Sequence, residues 1–401
     1  MEKEKLQPEL STPFLRLGKS SRINPQVYAQ SAEQRLPYDS KTSSLQQHLS
    51  NLYESVSLVA TTCLGINHPA VTTKREPFDY CILDEAGQCL LLSALGPLFH
   101  AKKFVLVGDP HQLPPLVQSQ VAQRKGMDIS LFSHLATKPD NIIPLTMQYR
   151  MNEKIQELAN NLTYEGRLEC GSEEVAKRTI VTKGRTGNTE EPGWITRLLD
   201  GSSIENSLLF LSTDNLDNAM ETTCDLGLYN PGEGDIVHRI CQSFQSLTFS
   251  GEDQILDDSH KYDKPKLTIG VIAPYRAQVM HLRNKLISSE TNMTIDVNTV
   301  DQFQGQDKDI IIYSCTRSTP QKIHILGEGS TKEQIKGRGD IMCDKRRLNV
   351  AITRAKSKLV IIGNIRALQT YDPFKNLLSF LQEKGNVFEI YTSDLQYLKS
   401  E

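Results

Sequence analysis

The sequence predicts an α/β protein built from doubly wound parallel sheets. Two observations carry this. Seven short apolar runs, at 58–60, 80–83, 104–107, 208–211, 269–273, 310–313 and 359–362, are continuous and not alternating. That is the pattern of parallel strands buried on both faces. Helical stretches such as "RAQVMHLRNKLISSE" and "DKRRLNVAITRAK" fall between runs, and this alternation builds α/β layers.

The 401 residues suffice for two or three domains. The runs form an early and a late group around an uneven middle at 183–265, whose polar and acidic stretches read as surface loop or insertion. A second Gly-rich polar stretch at 319–340 reads the same way. The net charge is −3, so any nucleic-acid surface must be a local patch. No apolar run reaches membrane-spanning length, and the charged start lacks the apolar stretch of a signal peptide. The eight cysteines form no C-x-x-C pair, which predicts free thiols, mostly small core residues, in a reducing compartment. It argues against zinc or an iron–sulfur cluster within this chain.

Taken in chain order, the first candidate is a decoy. Gly18-Lys19-Ser20 copies the end of a phosphate-binding loop, but Pro13 stands where the pattern needs its first glycine. Proline has no N–H to offer a phosphate. The second and third runs are more informative. "YCILDEAGQ" sets Asp84 and Glu85 at a strand's carboxyl end, and "FVLVGDPHQLPP" sets Asp109 and Gln112 likewise. Ligands of open α/β sheets bind at that end. Carboxylates there suit Mg²⁺ and an activated water, the two needs of a nucleotide hydrolase. In "LTMQYRMN", Tyr149 precedes Arg150. Residues 344–358 hold six basic side chains and one acidic. Read as one helix, they place Arg347 and Arg354 two turns apart on a common face, opposite a core stripe of Leu348, Ile352 and Ala355. Such an arginine face is aimed at solvent or at a phosphate.

In order, "VATTCLG", "ILDEAGQ", "VGDPHQLPP", "LTMQYRM", "VIAPYRAQV", "VNTVDQFQGQDKDIII" and "RRLNVAITRAK" resemble motifs Ic to VI of superfamily 1 helicases, in the branch that includes the nonsense-mediated-decay RNA helicase. Within it, "ATTCLGINHP" and "LTYEGRLECGS" most resemble the eukaryotic DNA replication ATP-dependent helicase/nucleases. "PFLRLG" looks like motif Ib, which accounts for the decoy beside it. The resemblance implies two RecA-like domains of P-loop NTPase type, 1–146 and 147–401. The first is incomplete, because the family's P-loop and motif Ia have no counterpart in this sequence. It also implies ATP and Mg²⁺ as cofactors, with Asp84 on the metal, Glu85 activating the water and Gln112 sensing the γ-phosphate. Arg150 and Arg354 would contact that phosphate, and Tyr149 would stack on adenine. Asp109 would complete the nucleotide site, and Gly305, Gln306 and Asp307 would link ribose to the nucleic acid. Thr61, Thr62, Pro274, Tyr275, Arg276 and Thr299 look like strand-contacting positions. The implied setting is a monomer acting in the nucleus or mitochondrion on single-stranded DNA and flaps, beside a single-stranded-DNA-binding protein and away from membranes. An iron–sulfur cluster belongs to the family's nuclease domain, which this sequence does not include. The expectation is a helicase region truncated before its P-loop, without ATPase activity of its own; the alternatives are a degenerate nucleic-acid-binding module without turnover and an RNA helicase of the same branch.

Overall fold

A computed structural model describes residues 14–19, 21, 23–35, 48, 51–52, 55–67, 76–180, 182–183, 191–245, 247–249, 267–286, 293–321 and 340–398. Ser20 of the decoy and much of both polar stretches lie outside them. Contacts divide the chain into two compact units. One runs to Pro110 and resumes over Pro114–Ile142; the other joins His111–Leu113 to everything from Ile143 onward.

The first unit holds two parallel ladders. Strand β1 (Phe14–Arg16) pairs with β2 (Leu58–Ala60), and β3 (Phe78–Leu83) pairs with β4 (Ala101–Leu106). Leu15, Leu17, Ala32 and Ile66 form one small core, and Leu83, Ala86 and Ala94 another. The runs at 58–60, 80–83 and 104–107 are strands, but the expectation that both their faces are buried fails here. Ile82 is 69% exposed and Phe104 49%. The reason is geometric. Among the described residues each ladder has only two strands, and a strand's faces are covered only where neighbouring layers extend past it.

The second unit is built on one sheet of six parallel strands: β5 (Leu208–Ser212), β6 (Leu267–Ala273), β7 (Met293–Thr299), β8 (Lys308–Ser314), β9 (Ala355–Gly363) and β10 (Val387–Glu389). Their order is β7-β6-β8-β9-β5-β10. Here the continuous apolar runs are buried on both sides, because alternate residues enter different cores. Phe210, Ile311 and Ile361 meet helices α1 (Glu153–Ala159), α5 (Lys345–Ile352) and α6 (Asp372–Glu383) through Ile155, Leu348 and Phe374. Leu209, Ile312 and Val360 meet α2 (Gly193–Leu199), α3 (Pro231–Gln245) and α4 (Arg276–Leu286) through Leu198, Ile240 and Leu282. Each fully buried Leu, Ile or Phe contributes about 1.5–3 kcal/mol.

The reading of 183–265 as loop is corrected for its described part. Trp194, Ile195, Leu198 and Leu199 recur at helical spacing in α2, and Ile236, Val237, Ile240 and Phe244 do so in α3; all are buried. The cysteine reading is corrected too: only Cys241 and Cys315 are buried. Among the described residues no helix is long and apolar enough to cross a membrane.

Candidate functional site

In the first unit β3 and β4 end in register, Leu83 opposite Leu106. The ladder runs on past them: the Val107 amide donates to Leu83 O at 2.9 Å, and the Ala86 amide to Val107 O at 2.8 Å. Asp84 and Glu85 therefore leave one strand, and Gly108 and Asp109 the other, at the same carboxyl edge. Glu85 takes a left-handed conformation, φ 51°, uncommon for a non-glycine residue and shared among the described residues with Glu165 and Thr316. Its amide donates to Asp84 Oδ1 at 2.9 Å, and Gln88 Nε2 donates to Glu85 Oε2 at 2.9 Å. Among the described residues no group of three or more His, Cys, Asp or Glu could hold a metal. A metal caged by protein ligands alone therefore does not fit. Mg²⁺ does fit, because it binds through one or two carboxylates with phosphate and water completing its shell. Asp84, exposed at the strand end, would hold it.

Close by, Thr61 and Thr62 follow β2. Thr62 Oγ1 accepts from the Gly65 amide at 3.1 Å, closing a local turn. Thr61 Oγ1 is buried with no hydrogen-bond partner.

The second unit carries polar groups at both edges of its sheet. At the amino edge, Asp307 precedes β8 and Arg354 precedes β9, and the Lys308 amide donates to Arg354 O at 3.0 Å. Arg150 Nε lies 3.4 Å from Asp307 Oδ2, and Lys356 Nζ 2.6 Å from Oδ1. Partial burial raises the Asp307 carboxyl, but Lys356 and Arg150 outweigh it and hold the group below its ordinary range. Arg150 also donates to Thr353 O at 3.3 Å. Gly305 turns the chain at φ 78°, and Gln306 Nε2 donates to Gln302 O at 3.2 Å. Tyr149 is 63% exposed. Its ring covers Gly171 so closely that a Cβ there would lie 2.3 Å from it, so a larger residue would displace the ring. Gln112 belongs with this unit, and its Oε1 accepts from Gln304 Nε2 at 3.4 Å. Asn349 holds the same segment by donating to His111 O at 3.1 Å.

The arginine face is not formed as expected. Helix α5 ends at Ile352, where Thr353 caps it by donating to Asn349 O at 2.8 Å, and β9 starts at Ala355. Arg354 thus sits in the turn, 1% exposed, donating to Val350 O, Thr353 Oγ1 and Gln306 O at 3.0, 2.9 and 3.4 Å. Arg347 stays on the helix and pairs with Asp301 and Asp344. The dense positive stretch is no open patch either. Lys358 is buried, donating to Arg197 O and Leu198 O at the end of α2. Burial, against the pull of Asp200, brings its pKa down to about 7.

At the carboxyl edge, Ala273 and Thr299 are paired ends of β6 and β7. Pro274 is buried, Tyr275 half-buried and Arg276 exposed at the start of α4. Tyr275 is tied down: its hydroxyl donates to Asp340 Oδ1 at 2.7 Å. Burial, then Asp340, raise its pKa far above the ordinary value. Asp340 also accepts from Tyr371, and Arg317 joins Tyr371 to Glu221. Asp340, Arg317 and Glu221 escape sequence reasoning, since no motif marks them. Lys356 had a signal, as a member of the dense basic stretch at 344–358.

The fold is thus a parallel α/β one, with acidic residues in the turn after β3 and Arg150 paired to Asp307 at the amino edge of the second unit's sheet. The chain belongs to the AAA-domain family: one AAA-domain model matches residues 127–366, and a second matches 12–120. Among characterised proteins it is similar to the DNA replication ATP-dependent helicase/nuclease DNA2. Identity is 37% over 386 residues to the Xenopus laevis protein and 37% over 386 to the Homo sapiens protein, each alignment covering 94% of this chain and 33% of the relative. To the Saccharomyces cerevisiae protein it is 33% over 383 residues, covering 94% and 23%. The chain thus spans about a third or less of these relatives' length. The solved structure of the PRRSV helicase aligns over 90% of this chain and 50% of that one at 13% identity and TM-score 0.37, too slight a likeness to carry an argument.

Proposed function

We propose that this chain is the helicase region of a DNA replication helicase/nuclease, in which ATP hydrolysis drives 5′→3′ movement along single-stranded DNA. One observation carries the reading. The segment from Thr299 to Asp307 leaves the carboxyl edge of β7, crosses the sheet through buried Val300 and Phe303, and reaches the amino edge of β8. One end of it lies beside Pro274 and Tyr275, the proposed strand contacts. The other end lies beside Arg150 and Arg354, the proposed phosphate contacts, and beside Lys356. A short segment that spans both sites is a physical route for coupling between them.

In this reading Asp84 holds Mg²⁺, which would supply charge neutralisation for the phosphates. Glu85 orients and deprotonates the attacking water. Asp109 and Gln112 follow β4 toward the γ-phosphate, Tyr149 faces the base, and Gly305, Gln306 and Asp307 meet the ribose. Thr61, Thr62, Arg276 and Thr299 complete the strand contacts. A nuclear or mitochondrial site of action, flap substrates and a single-strand-binding partner follow from the same reading. The two domains of the motor are 1–146 and 147–401.

A second reading, a single-strand-binding module without turnover, is favoured by the inward guanidinium of Arg354. ATP turnover separates them. The 401 residues contain no G-x-x-x-x-G-K-[ST] sequence, the segment whose amides and lysine cradle β- and γ-phosphates. The purified chain alone is expected to be inactive with and without single-stranded DNA. Appending a P-loop segment from a relative is expected to restore turnover that Glu85→Gln abolishes. A folded chimera that binds ATP and DNA without turnover would establish the binding module instead.

A further inference from the structure

We infer that Cys63 and Cys89 form a reversible disulfide, an oxidative modification site in the first unit. Cys63 opens the turn after β2, and Cys89 closes the turn after β3. Twenty-six residues separate them, yet Cys89 Sγ lies 3.6 Å from Cys63 Sγ. Both are free and partly exposed, so a small oxidant reaches them. A covalent S–S bond of about 2.0 Å needs the sulfurs to approach by a further ~1.6 Å, a displacement within reach of side-chain rotation in a small, partly open core. Metal binding by the neighbouring thiols is the rival use, and no metal-holding group occurs among the described residues. Burial, then Cys63 itself, pushes the Cys89 thiol up to about 11. Cys63, which opens the turn after β2, is taken as the attacking sulfur.

With a low-molecular-weight disulfide as oxidant, the Cys63 thiolate attacks one of its sulfurs. This forms a mixed disulfide and releases one small thiol. Cys89 then loses its proton to solvent and attacks the Cys63 sulfur, releasing the second small thiol. Two protein thiols are oxidised and one small disulfide is reduced to two thiols. The bond ties the turn of Thr61 and Thr62 to the turn of Asp84 and Glu85. On the function proposed above, it clamps the strand contact to the metal carboxylate; the bond itself does not depend on that reading.

The full chain is incubated with oxidised glutathione under native conditions and in urea. Remaining thiols are alkylated, and the protein is digested with trypsin and a protease cutting before Asp84, which separates Cys81 from Cys89. The expected result is a Cys63–Cys89 peptide as the dominant link in the native sample, at least tenfold above its share in urea and released by reductant. In Cys89→Ser, Cys63 is expected to accumulate as the glutathione adduct. Native protein in which both cysteines are alkylated, or glutathionylated separately, would overturn the inference, as would a dominant Cys63–Cys81 link. Turnover of a P-loop-restored chimera tests the functional reading separately.

Discussion

Replacing Glu233 with Gln should make the second unit more stable, by an amount that grows with pH. Glu233 lies in the first turn of α3, 0% exposed. One carboxylate oxygen accepts from Ser314 Oγ at 2.6 Å and from the Thr316 amide at 2.8 Å. Burial outweighs these two bonds and, with Glu221 adding to it, raises the pKa from 4.5 to about 8. The folded protein therefore holds this proton more tightly than the unfolded chain. The group's contribution is fully present below about pH 4.5 and is lost as pH rises to about 8. Within that window the loss is about 1.4 kcal/mol per pH unit, or roughly 3 kcal/mol by pH 7. That is a large share of a domain's usual ~5–15 kcal/mol. Glutamine keeps an oxygen for Ser314 and Thr316 but has no proton to lose. The assay is urea unfolding of Glu233→Gln and wild type from about pH 5 to about pH 8. The single tryptophan, Trp194, reports on it from the core that α3 shares. The stability gap should widen in favour of the variant at each step. A gap that stays flat, or one that closes, would refute the account of a buried, proton-holding carboxyl.

Arg354→Ala in a P-loop-containing parent should cost on the order of 10³-fold in ATP turnover while sparing DNA binding; lost strand affinity with turnover intact would show a phosphate-backbone contact instead. Single-strand binding by the chain should fall steeply with salt, because its net charge of −3 leaves only local Lys and Arg contacts to displace counterions, and a titration with a flat salt response would remove the electrostatic groove. Limited proteolysis should cut the first unit, with its small cores and two-stranded ladders, before the six-stranded second unit; mass spectrometry showing even protection across both would contradict this.

All seven apolar runs proved to be strands because a continuous run of β-branched and aliphatic residues has few other stable uses between helices. Asp84, Glu85 and Asp109 were legible at strand ends for the same reason: once a strand is placed, the residue after it is placed too. The helix over Arg276–Leu286 was legible from its apolar spacing. Periodicity failed at Arg354, because the turn from α5 to β9 is set by Thr353 bonding back to Asn349 and by the ladder claiming Ala355. A local helical pattern runs through that point unbroken.

The sequence by itself determined seven of the strands β1–β10, all but β1, β7 and β10, together with the residue types at their ends and the order of the motifs. Those properties depend on near neighbours in the chain. Tertiary structure alone decided what each side chain meets. It sheltered β5, β6, β8 and β9 on both faces and left β3 and β4 partly open, since burial depends on how many strands and helices arrive from elsewhere. It turned Arg354 and Lys358 inward, joined Arg150 to Asp307 across 157 residues, tied Tyr275 to Asp340 and sealed Glu233 beneath Ser314. Charge and burial are set by distance in space, and a linear pattern carries little record of contacts made between residues so far apart in the chain.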